Sequence, residues 1–169
     1  MEDYRVRQLT VDDLDELLRL EEACFSSPWS RESYRRELTE NNLAHYWGVF
    51  AGGELIGFAG YWLILDEGHI TNVAVAPDRR NQGVGRFLVQ GVINGCLAGG
   101  GRFLTLEVRA SNAPALHLYE KMGFVSSGVR PNYYDDPKED AVIMWKELCS
   151  SPAAGEAEHD QNTGNRIQL

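Results

Sequence analysis

Residues 71 to 85 read Thr-Asn-Val-Ala-Val-Ala-Pro-Asp-Arg-Arg-Asn-Gln-Gly-Val-Gly and lead into the amphipathic stretch Arg86 to Leu97. A strand, a glycine-bearing loop and a helix in that order leave a row of free backbone amides at a helix N-terminus, where anions bind. Arg79, Arg80 and Arg86 make the loop basic, so a phosphate-bearing ligand is expected. Two nucleotide motifs are excluded: the dinucleotide fingerprint needs a glycine where Leu88 sits, and the Gly-Lys-Ser/Thr of a P-loop occurs nowhere. What remains is Arg80-x-x-Gly83-x-Gly85, directly after Val73-Ala74-Val75-Ala76-Pro77. Taken alone, it suits an ordinary tight strand-to-helix turn equally well.

The rest of the chain supplies a mixed α/β order. Tyr4 to Leu9 reads as a strand. Thr10, with Asp13 as a weak capping box, precedes a helix whose apolar stripe is Leu14, Leu17, Leu18 and Ala23. Ser30 caps a second helix through Leu38, with Tyr34 and Leu38 on one face. Ala44 to Phe50, Leu55 to Leu65 and His69 to Val75 are apolar runs separated by hairpin-length turns, as in an antiparallel meander. After the loop helix, Gly99-Gly100-Gly101 ends the run, Phe103 to Val108 forms a strand, and Asn112 caps a helix through Met122. Phe124 to Val129 and Ala141 to Leu148 are two last strands around a polar loop with Tyr133 and Tyr134. The expected fold is one domain over residues 1–149, a mainly antiparallel sheet of about seven strands flanked by four helices. Residues 150–169 have almost no core-forming side chains and are expected to be a disordered tail.

Composition narrows the function classes. The net charge is −9, and the stretch after Cys149 holds only Glu156, Glu158, Asp160 and Arg166, so most of the acidity sits on the body. An acidic body disfavours a nucleic-acid backbone and mildly favours a cationic partner. No apolar run reaches membrane-spanning length, and no signal-peptide pattern is present, so a cytoplasmic protein without membrane or direct nucleic-acid partners is expected. Cys24, Cys96 and Cys149 lack disulfide or zinc spacing, and the four histidines are scattered, so no metal is expected.

Leu104 to Asn112, Leu-Thr-Leu-Glu-Val-Arg-Ala-Ser-Asn, and Leu118 to Phe124, Leu-Tyr-Glu-Lys-Met-Gly-Phe, join the glycine loop in order and spacing. Together they resemble the GNAT superfamily of N-acetyltransferases, within it the ribosomal-protein-alanine N-acetyltransferase branch, to which Pro28-Trp29-Ser30 and Asn132-Tyr133-Tyr134 also fit. The likeness runs from about Tyr4 to Leu148. It implies the acyl-CoA N-acyltransferase fold, acetyl-CoA as co-substrate, and the N-terminal alanine of a small-subunit ribosomal protein as acceptor. It implies Glu107 as general base and Tyr119 as the acid that protonates the leaving thiolate. Cofactor contacts would come from Val73, Ala74, Val75, Arg80, Asn81, Gln82, Gly83, Val84, Gly85, Arg86 and Asn112. One departure is Asn81, at a position often basic in relatives, for which Arg79 and Arg80 can compensate.

Chemistry bears on the same residues independently. On a strand, Glu107 shares a face with Phe103 and Thr105, and a carboxylate half-desolvated by such neighbours suits the work of a base. The plain alternative is a solvent-facing carboxylate. Asn112 and Tyr119 lie seven residues apart on one helix face, with helix cap and core aromatic as their plain roles. An amide of Asn72 to Val75 would stabilise the tetrahedral oxygen. Trp29, Tyr133 and Tyr134 are candidate walls of a peptide groove, although Trp29 suits core packing as well. Two other classes stay open: an acetyltransferase for a small-molecule amine, and a non-catalytic acyl-CoA-binding module.

Overall fold

The computed structural model describes residues 2–148 and 166–169. Its strands are β1 (Tyr4–Gln8), β2 (Ala44–Ala51), β3 (Glu54–Ile64), β4 (Glu67–Val75), β5 (Phe103–Arg109), β6 (Val125–Asp135), β7 (Lys138–Glu147) and β8 (Arg166–Gln168). The helices are α1 (Leu14–Cys24), α2 (Arg31–Thr39), α3 (Val84–Ala98) and α4 (Ala113–Lys121). The sheet order is β1-β2-β3-β4-β5-β7-β6, with β8 paired to β4. Both β5 and β8 run parallel to β4, and the other pairings are antiparallel.

The continuous apolar run of β3 arises because both sheet faces are covered. Leu55 and Phe58 pack with Leu14, Leu17 and Leu20 of α1. Ile56, Ala59 and Tyr61 point the other way, toward Val84, Leu88 and Val92 of α3. The residues of β3 therefore divide between two separate cores, alternating except at a bulge opposite Val49 and Phe50, where Ile56 and Gly57 fall on the same face. The close seat of α3 on the sheet needs Gly95, where a Cβ would come within 2.7 Å of the Trp47 indole.

Thr10 and Asp13 form the expected capping box, with the Thr10 amide donating to the Asp13 carboxylate at 2.9 Å. Residues 11–13 make a short 3-10 turn, which rotates the helix that follows. Its buried residues are accordingly Leu14, Leu17, Leu20 and Glu21, while Ala23 is exposed. Ser30 caps α2 by accepting from the Ser33 amide at 3.1 Å. Ser30→Ala is expected to lower stability by about 1 kcal/mol in thermal unfolding, with activity unchanged.

Two expectations are corrected. Tyr133 and Tyr134 lie in β6 rather than in a loop, because Arg109 ties the hairpin down. Its guanidinium stacks on Tyr134 at 4.2 Å and donates to the carbonyls of Asp136 and Pro137 at 3.0 and 2.8 Å. Arg166–Gln168 is an eighth strand and not a disordered tail, because Ile167 is an apolar side chain able to reach the core, where it is 8% exposed. The remainder of that predicted tail, and Cys149, lie outside the described residues.

Candidate active site

The site begins where β4 and β5 part. They pair only over Glu67–His69 with Phe103–Thr105. Glu107, two residues beyond the last pair, is 4% exposed. Its neighbours are more polar than the sequence suggested: His69 Nε2 and Glu107 Oε2 share a hydrogen bond of 2.7 Å, and Arg130 Nε of β6 lies 3.4 Å from Oε1. Both carboxylate oxygens are thus held, and the group faces a cavity lined by Trp62, His69, Thr105, Arg130 and Ile143. Periodicity marks His69 as a strand residue but cannot say that β5, arriving by a long crossover, will lie beside it.

At the other end of β4, the loop before α3 uses two left-handed residues, Asn81 at φ 60° and Gly83 at φ 84°. Asparagine tolerates that region better than a basic side chain would, which gives a local reason for Asn81. Val75, Arg80, Asn81, Gly83, Val84, Gly85 and Arg86 line one cleft with Pro114 and Leu118 of α4. The first amides of α3 have no intrahelical acceptor, so the cleft presents donors and cations together. Arg80 Nε donates to the Val75 carbonyl at 3.2 Å, and Arg79 is paired with Glu2 at 2.6 Å. Arg86 also borders a second cleft that holds Lys121 and Lys146.

Other predicted contacts stand apart from that lining. The Gln82 amide donates to the Asp78 carbonyl at 2.9 Å. Asn112 caps α4, accepting from the Ala115 amide at 3.3 Å. Val73 and Ala74 are fully buried and lie in register with Ile167 and Gln168 of β8.

Between the two ends lie polar atoms that burial has left unpaired. The Tyr119 hydroxyl on α4 and the Asn72 Oδ1 on β4 are buried without a hydrogen-bond partner among the described residues. Burial pushes the Tyr119 phenol well up, so it remains protonated. Buried polar atoms are ordinarily satisfied, and orphans of this kind fit a site completed by a polar ligand such as the pantetheine arm of an acyl-CoA.

A third cluster was missed in the sequence. The Tyr34 hydroxyl donates to Glu21 Oε2 at 2.7 Å and accepts from Asn72 Nδ2 at 3.1 Å, while the Trp29 amide donates to Glu21 Oε1 at 2.9 Å. Glu21 falls on the buried positions of α1 together with Leu14 and Leu17. A charged residue inside that stripe was the available signal. Trp29 and Tyr134 line a further cavity with Phe25, Ser27, Arg109 and Arg166. Tyr133 packs edge-on against Tyr134 at 5.0 Å and is not among the residues lining it. Among the described residues there is no cluster of metal-binding side chains, and no helix long and apolar enough to cross a membrane.

Comparison with known proteins places the chain in a family. The Acetyltransferase (GNAT) family matches residues 14–124. A Bacillus subtilis (strain 168) protein, provisionally named a ribosomal protein bS18-alanine N-acetyltransferase, is 42% identical over 140 residues, covering 83% of this chain and 93% of that one. The crystal structure of the ribosomal-protein-S18-alanine N-acetyltransferase from Escherichia coli superposes with a TM-score of 0.79 at 33% identity, covering 94% of this chain and all of that one, or 100%. An N-acetyltransferase from Thermoplasma acidophilum, solved in complex with coenzyme A, shares the fold with a TM-score of 0.73 at 19% identity, over 86% of this chain and 99% of its own. With the parted strands, the basic glycine loop and these relatives in agreement, the chain belongs to the GNAT acetyltransferase family.

Proposed function

We propose that the protein is a cytoplasmic N-alpha-acetyltransferase that moves acetyl from acetyl-CoA to the N-terminal amine of a protein, the N-terminal alanine of a small-subunit ribosomal protein. The observation that carries this reading is the buried Glu107 carboxylate, anchored by His69 at the point where β4 and β5 diverge. The names of the B. subtilis and E. coli relatives support the choice of acceptor.

The diphosphate of acetyl-CoA sits against the amides from Asn81 to Arg86, and its arm runs along Val73 to Val75. The acceptor enters past Trp29 and Tyr134. Glu107 takes a proton from the incoming ammonium, directly or through water, and the free amine attacks the thioester carbonyl. Attack forms the C–N bond and a tetrahedral intermediate. The nitrogen gives up its second proton to solvent, and the C–S bond then breaks as Tyr119 protonates the departing thiolate, the tyrosine regaining its proton from solvent once coenzyme A has left. An amide of the Asn72 to Val75 segment stabilises the tetrahedral oxygen. No covalent enzyme intermediate is needed, which leaves Cys24 and Cys96 as structural thiols. Cys24 donates to the Val75 carbonyl at 3.3 Å, and burial raises Cys96 to about 11.

An α-amine, with a pKa near 8, is about one-tenth neutral at pH 7, whereas a lysine amine near 10.4 is neutral in fewer than about one molecule per thousand. A single carboxylate therefore handles an N-terminus more easily. The test is mass spectrometry on two matched peptides, one with a free N-terminal alanine and no lysine, the other N-terminally blocked with one lysine. Acetylation of the first alone is expected. Modification of the second alone overturns the reading in favour of a lysine enzyme, and silence on both moves a small-amine acceptor or a non-catalytic binding module ahead.

A further inference from the structure

The gap that opens between β4 and β5 is filled by the chain itself. Arg166, Ile167 and Gln168 run parallel to β4 in register with Asn72, Val73 and Ala74. Ile167 enters the core shared with α3 and α4, and Leu169 reaches the cleft of Gly83, Gly85 and Arg86. A Cβ at Gly85 would come within 3.2 Å of the Leu169 side chain. At the other end, Arg166 forms an ion pair with the buried Glu21 and donates to the Ser27 carbonyl at 3.0 Å. Its guanidinium also lies 4.2 Å from the Phe25 ring centroid and 5.0 Å from that of Trp29. The segment therefore spans from the acceptor side of the site to the glycine loop.

The fit is incomplete in a telling way. With the segment in place, the Tyr119 hydroxyl and Asn72 Oδ1 still lack partners among the described residues, and so does the buried Nη1 of Arg166. An occupant for which a groove is built satisfies its buried polar atoms. This one satisfies the β4 backbone, the Glu21 carboxylate and the Ser27 carbonyl but leaves those three atoms unpaired, a cost that a better-matched ligand would not carry.

We propose that the groove beside β4 is a peptide-binding site for the chain's own segment Arg166–Leu169, which competes there with the arm of acetyl-CoA. The inference rests on the acyl-CoA reading given above. Strand addition supplies the binding, the Arg166 and Ile167 side chains supply the specificity, and co-substrate binding requires the segment to leave. Apparent affinity for coenzyme A is then reduced by the fraction of molecules whose groove is open; a segment docked in about nine molecules of ten weakens it about tenfold.

Hydrogen exchange on the unaltered chain reads the displacement directly. The backbone amides within Arg166–Gln168 that face β4 are expected to exchange about tenfold more slowly in the free protein than at saturating coenzyme A, while those of β3 stay protected in both. In parallel, Ile167→Asp, which places a charge where the segment enters the core, should bind coenzyme A about tenfold more tightly by calorimetry. Continued protection of the segment with coenzyme A bound, or equal affinity in the two proteins, overturns the competition and leaves the acyl-CoA reading standing. Absence of coenzyme A binding in both proteins overturns the acyl-CoA reading and the competition with it.

Discussion

Replacing Glu107 with glutamine is expected to lower acetyl transfer by about 100-fold or more and to leave coenzyme A affinity unchanged. The amide matches the carboxylate in volume and still meets His69 across a distance that is 2.7 Å in the parent, so the β4–β5 junction keeps its shape. What disappears is the acceptor for the ammonium proton. Catalysis then depends on the amine that arrives already neutral, about one-tenth of it at pH 7 for an N-terminus, and on water alone to remove the nitrogen proton after attack, so the loss exceeds that tenfold. The variant's residual rate should therefore climb with pH through about 8, following the free-amine fraction, whereas a variant that is merely damaged would show no such dependence. Initial rates on the N-terminal alanine peptide, with coenzyme A calorimetry alongside, make the comparison. Unchanged turnover removes Glu107 from the mechanism and returns it to being a structural partner of His69 and Arg130.

The sequence was most readable where local rules act. The caps at Thr10, Ser30 and Asn112 and the meander from Ala44 to Val75 follow from residue types within a few positions of one another. The glycine loop was legible for the same reason, since Gly83 and the first turn of α3 are neighbours in the chain. The partners of Glu107 were hidden because they come from β4 and β6, 38 residues away in the case of His69, and only the sheet order brings them together. The hairpin carrying Tyr133 and Tyr134 was misjudged because its order depends on Arg109, a residue of another strand. The segment Arg166–Leu169 was the hardest case. A short run with two apolar residues has no period worth reading, and it becomes a strand only because β4 and β5 leave a gap of that width.

The opposite effects expected of Tyr119→Phe on rate and on stability separate a catalytic tyrosine from a packing one. The side chain is fully buried, stacks edge-on with Phe124 at 5.5 Å, and carries a hydroxyl with no partner among the described residues. Phenylalanine keeps the ring and its contacts and discards only an unsatisfied polar atom, so stability should hold or rise by about 1 kcal/mol. For a chain of this size that is a gain of roughly 2–4 °C in Tm. If Tyr119 is the proton donor to the thiolate, turnover should nevertheless fall by about tenfold or more. The loss is smaller than for Glu107→Gln: a thiol with a pKa near 8.5 departs tolerably as its anion, whereas a protonated amine cannot attack at all. Burial raises the Tyr119 phenol, so the proton it would donate is present across the working pH range. A variant that gains stability and keeps its full rate assigns the hydroxyl no role in the reaction. One that gains stability and loses rate shows that the unpaired atom is kept for the moment when coenzyme A leaves.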